Sequence, residues 1–199
     1  MSWRLNILLG IITLFTTCTF RIEEPADIRY DGPEEFEIIV YRFFQEANAR
    51  GITKFRHRKI KLDYELSLDQ PNGENGNRQH GQANRTLGVI SINPNSTKLE
   101  VDHTTVQLIF HELAHLCLIP ENLHTHRQNI PSLKKYGTEE YISSIMLPAT
   151  YLSDIPPLGH SSWEWLLDEL FGVVRTLPES NHPSAAFTEE KFECLSPVE

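Results

Sequence analysis

Residues 104 to 126 read TTVQLIFHELAHLCLIPENLHTH, and the fold turns on whether this stretch is one buried helix with chemistry on one face. Val106, Leu108, Ile109, Leu113, Leu116 and Leu118 give it the apolar periodicity of such a helix. Asp102 or Thr104 suits its N-cap, and Pro120 ends it. His111 and His115 stand one turn apart and project from the same face, so both imidazoles reach a single ion at about 2.0–2.1 Å. Glu112 lies about 100° around the helix. It is placed to hold the water that such an ion binds rather than to bind the ion itself. The plainer alternative is a core helix whose histidines bond to backbone.

The arrangement HELAH matches the HExxH pattern of zinc peptidases. A zinc ion that activates water has three protein ligands and one open position, so a third ligand must be found. Four residues are candidates. Glu121 lies ten residues after His111, the spacing of the third histidine in the metzincin pattern HExxHxxGxxH, although Leu118 stands where that pattern has glycine. His124 and His126 follow once Pro120 has turned the chain back. Glu164, in SSWEWLLDELFG (161–172), corresponds to the later-helix glutamate of the gluzincin peptidases, with Asp168 four residues on. Ser161 and Glu164 also fit a capping box, which accounts for that glutamate without a metal.

Upstream, Pro33 opens a helix in which Glu34 and Glu35 complement the positive end. Phe36, Ile39, Phe43, Phe44 and Ala47 then recur at helical spacing until Gly51. Ile60, Leu62, Tyr64 and Leu66 alternate with polar residues, as in a half-buried strand. Residues 69 to 85, DQPNGENGNRQHGQANR, read as a long polar loop of the kind that borders clefts. TLGVISIN (86–93) reads as a second strand and Asn93 to Thr97 as a turn. Trp163, Trp165, Leu166, Leu170 and Phe171 would bury a closing helix. No internal repeat is present.

The chain's 199 residues, 40% hydrophobic and 23% charged, suffice for one core and one domain. The first 17 residues differ from the rest. Arg4 precedes an apolar run from Leu5 to Phe15, and Thr16, Thr17 and Cys18 follow. The run is shorter than the roughly 20 residues of a membrane span, and it reads as a secretion signal. LFTTC resembles a bacterial lipobox, in which Cys18 would become the lipidated N-terminus. We therefore expect a signal peptide at 1–17, a tether at 18–32 and a single domain at 33–199. The expected location is outside the cytoplasm, with a lipid anchor as the membrane contact. Net charge is −9 before that cut, and removing the segment takes away Arg4 and no acid. Nucleic acid is excluded as a partner. Cys117 and Cys194 then remain, either paired or free.

YISSIMLP (141–148) resembles the Met-turn of metzincins, with Met146 in the position of the methionine. The order of signal segment, GVISI strand, HELAH, histidine-bearing loop, SIM and LLDELF helix also resembles small metzincin-like metallopeptidases found as bacterial lipoproteins, over roughly residues 86 to 175. The resemblance implies an α+β, metzincin-like zincin fold: a twisted mixed sheet with a backing helix and an active-site helix, then the Met-turn and a C-terminal helix. It also implies zinc held by His111, His115 and the family's third histidine, whose nearest equivalent is His124, displaced by a small insertion. Pro148 stands where some metzincins have a tyrosine ligand. The expected activity is zinc-dependent hydrolysis of peptide or protein substrates, with Glu112 as the base.

Overall fold

The structure is a computed structural model that describes residues 27–70, 78–96, 102–119, 123–126, 133–136, 139–142, 144–147 and 155–173, with the backbone alone at 133–136 and 139–140. The expected signal segment, Cys18, Glu121, Pro148 and Cys194 lie outside the described residues.

The chain forms an α+β unit around a small mixed sheet. Strands β1 (Arg29–Asp31), β2 (Lys59–Tyr64), β3 (Gly81–Asn84) and β4 (Val89–Ile92) are arranged β1-β2-β4-β3. The first three in that order are parallel, and β3 runs antiparallel along the outer edge of β4. A parallel pair needs a crossover, which helix α1 (Glu34–Ala49) supplies between β1 and β2. Because β1 pairs with β2 and Ile28 is buried, the domain takes in residues assigned above to the tether.

Helix α1 begins after Pro33, and Gly51 ends the turn beyond it at φ +82°, where glycine is at ease. Its predicted apolar face is buried in full: Phe36, Ile39, Phe43, Phe44 and Ala47, joined by Val40. Helix α2 (His103–Cys117) starts at Asp102, whose side chain accepts the Thr105 N–H at 2.8 Å. It packs on α1 and on β3 and β4. Helix α3 (Ser162–Leu170) closes the core with Trp163, Leu166, Leu167 and Leu170, while Trp165 is half-buried. Phe43 ties the three helices together, with its ring 5.4 Å from Phe44, 5.4 Å from Phe110 and 5.3 Å from Phe171. Such aromatic contacts add about 0.5–1.5 kcal/mol each beyond burial.

Four local expectations are corrected. The 69–85 stretch is not all loop, since β3 lies inside it; Asn93 pairs the segment before β3 by donating to the Gln79 carbonyl at 3.2 Å. Residues 85–88 form the turn between β3 and β4 rather than the start of a strand. Tyr64 and Leu66 do not continue the buried face of Ile60 and Leu62: they are 43% and 71% exposed, because the strand ends and a 3-10 turn at Leu66–Asp69 carries the chain off the sheet. Ser161 makes no side-chain cap, its backbone already being helical. A further hairpin, β5 (Leu133–Tyr136) with β6 (Glu139–Ile142), leads to a turn at 144–147. Among the described residues, no helix is long and apolar enough to cross a membrane.

Candidate metal centre

Helix α2 is buried along most of its length and packs against β3. His111 is 4% exposed, Glu112 5%, and His115 is partly open. Each of the two histidines is oriented by a backbone carbonyl. His111 Nδ1 donates to the Ile145 carbonyl at 2.8 Å, and the same oxygen accepts Gln107 Nε2 at 3.1 Å. His115 Nδ1 donates to the His124 carbonyl at 2.6 Å. A carbonyl can only accept, so the proton of each neutral ring is on Nδ1 and the Nε2 lone pair is left free of it.

His126 brings a third Nε2 to the same point. It lies 3.2 Å from that of His111 and 3.1 Å from that of His115, while the His111 and His115 nitrogens are 3.1 Å apart. With their Nδ1 protons committed, His111 and His115 have no N–H to offer each other across this contact. Two lone pairs at that distance repel unless a cation stands between them. Tetrahedral zinc with bonds of 2.0–2.1 Å would set its nitrogens about 3.3–3.4 Å apart, so the donors fit a metal ion in type and spacing. Burial keeps the rings unprotonated: it depresses His111 to about 4 and His115 to about 3, the latter helped by His111 nearby, and it lowers His126 as well. His111, His115 and His126 thus lie close enough to bind one metal ion.

The histidine nominated from sequence, His124, is not in this cluster. Its side chain is 2% exposed, with Nδ1 3.1 Å from the Leu118 carbonyl. Leu123 beside it is buried too, in contact range of Gly172. These two side chains anchor the short segment 123–126 in the core, which leaves Thr125 and His126 on the outside, with His126 beside His111 and His115. His124 contributes through its carbonyl and not through its ring.

Glu164 is also accounted for elsewhere. Its Oε2 accepts Arg50 Nη2 at 2.8 Å, while Arg50 Nε donates to Asp168 Oδ1 at 2.8 Å and Nη1 to Glu46. The buried guanidinium joins the end of α1 to α3, and this ion-pair hub, not a capping box, explains both acids of α3.

Glu112 points to the edge strand. A Cβ built on Gly81 would stand 2.8 Å from its Oε1, so β3 passes directly over the carboxyl and only glycine leaves room. Burial raises the carboxyl to about 8. A cation beside it would act in the opposite sense and favour the carboxylate.

Met146 is fully buried in the 144–147 turn, next in the chain to the Ile145 carbonyl that holds His111. Its N–H donates to Ser144 Oγ at 3.0 Å, and Ser144 Oγ donates in turn to Glu169 of α3. The turn is therefore braced from the closing helix. Gln107, Ile145, Gly81 and Arg85 carry no sequence motif: Gln107 and Arg85 donate from their side chains to backbone carbonyls, Ile145 offers its carbonyl, and Gly81 acts by lacking a side chain.

Searches of protein families, of curated proteins and of solved structures find no match to this chain.

Proposed function

We propose that this chain is a zinc-dependent peptidase of metzincin-like type, with the ion held by His111, His115 and His126 and with Glu112 as general base. The convergence of three Nε2 atoms within 3.2 Å of one another, on and beside the helix that carries the buried carboxyl of Glu112, is the observation that carries the reading. A zinc ion there would supply the charge that makes a water molecule acidic near neutral pH and polarises a peptide carbonyl. Three neutral imidazoles leave that charge undiminished. Glu112, buried beside Gly81, would accept the proton of the attacking water and return it to the departing amine.

The Arg50 hub speaks against a gluzincin-type arrangement, because drawing Glu164 to a metal would strip a buried cation of a partner. Action outside the cytoplasm, on peptide or protein substrates and from a lipid anchor at Cys18, belongs to the same proposal and rests on the N-terminal sequence.

The test is Glu112→Gln, assayed against a peptide library beside metal analysis. The expected result is retained zinc with turnover reduced by about 10²–10⁴-fold. Undiminished cleavage by the variant would sink the role given to Glu112.

A further inference from the structure

We propose that Arg85 is the positioning residue of the histidine cluster, a clamp that fixes the segment carrying His126 against the end of α2. The inference rests on the metal-centre reading and deepens it.

Arg85 Nε donates to the His115 carbonyl at 2.7 Å, and Arg85 Nη2 donates to the His124 carbonyl at 3.3 Å. The first acceptor belongs to the last turn of α2, where carbonyls have no partner within the helix and a cation is favoured. The second is the oxygen that already orients the His115 ring, and it lies two residues before His126. One guanidinium therefore spans the two chain segments whose separation sets the His115–His126 distance. The planar fork of arginine holds its donors at fixed angles, which a lysine ammonium does not.

Arg85 is itself built into a rigid support. Asn84 Oδ1 accepts the N–H groups of Thr86 and Leu87, each at 3.1 Å, and the Gly88 N–H bonds the Asn84 carbonyl at 3.0 Å. Gly88 closes the turn at φ +70°, where an added Cβ would also meet His57 Nδ1 at 3.2 Å. From the other side His57 Nε2 donates to the Arg85 carbonyl at 2.6 Å. The turn is thus held by its own asparagine and glycine and by the segment before β2, with the arginine side chain directed across to the metal ligands. An exposed arginine needed only for solubility would require none of this.

The experiment compares the purified chain with Arg85→Ala and Arg85→Lys. Zinc affinity is read by competition with a chromophoric chelator, the visible spectrum of the cobalt-loaded protein reports ligand geometry, and the metal-free proteins are melted. Arg85→Ala should weaken zinc binding by about 10–100-fold, the range seen when a partner behind a ligand is removed. It should also dim the intense cobalt bands of a four-coordinate site as His126 drifts away, with the metal-free melting temperature nearly unchanged. Arg85→Lys should recover only part of both losses. Zinc affinity and cobalt spectrum unchanged in Arg85→Ala would overturn the clamp, as would a melting loss in the metal-free protein large enough to account for the weaker binding. Failure of the wild type to bind zinc is a different result: it removes the metal centre itself, and the clamp with it.

Discussion

A single methyl group separates Glu112 from a crowded site. In Gly81→Ala the new Cβ would stand 2.8 Å from Oε1, 3.0 Å from Cγ and 3.1 Å from the carboxyl carbon, so the glutamate must swing aside. Its Oε1 is the far end of a flexible chain, and the fold should accommodate the change. The expected outcome is retained zinc with turnover lowered by about 10²-fold, since misplacing a reacting group by an ångström costs that much. Parallel kinetics and metal content check it. Cys117 gives a second prediction at this scale. Its free thiol is fully buried, and burial raises it well above the usual thiol range. The reactive thiolate therefore stays unformed in the native protein even at about pH 8.5, where an exposed cysteine is half ionised. Iodoacetamide at that pH should leave Cys117 unmodified until denaturant is added, as read by peptide mapping. Rapid labelling of the native protein would show that the thiol is not enclosed as described.

Helix α1 is joined to α3 by apolar contacts and by the Arg50 hub, whose members are 8% (Arg50), 18% (Glu164) and 5% (Asp168) exposed at their side chains. Removing the central cation leaves buried acids facing one another, so Arg50→Ala should cost about 3–5 kcal/mol in denaturant unfolding. Glu164→Gln keeps a hydrogen-bond acceptor for Arg50 and should bind zinc as the wild type does; loss of zinc there would restore the gluzincin-type ligand set. The same elements show what could be read from the sequence and why. Helices α1, α2 and α3 and the buried part of β2 were legible because burial on one face writes a period into the residues. Strand β3 was not: GQAN carries no apolar alternation, being an edge strand held by backbone pairing with β4. The turn at 85–88 was hidden for a related reason, since Leu87 looks like strand and is 71% exposed, while Asn84 and Gly88 do the folding.

Across the whole molecule, the candidate site is assembled from parts far apart in sequence: two histidines on α2, a third from the segment after it, a carbonyl from the turn at 144–147 braced by α3, and a wall from β3. The local pair His111 and His115, with Glu112, was legible because a helix turns sequence spacing directly into geometry. The third histidine was not. His124 and His126 differ only in which of them the core takes in, and that choice is made by Leu123, Leu118 and Gly172, none of which a spacing rule consults. A three-histidine metal site depends on that choice. The most direct measurement is zinc per chain in wild type, His126→Ala and His124→Ala, prepared side by side. The proposed zinc site predicts stoichiometric zinc in the wild type, a large loss in His126→Ala and retention in His124→Ala, with any change in the last confined to stability. Zinc kept by His126→Ala and lost by His124→Ala would contradict it.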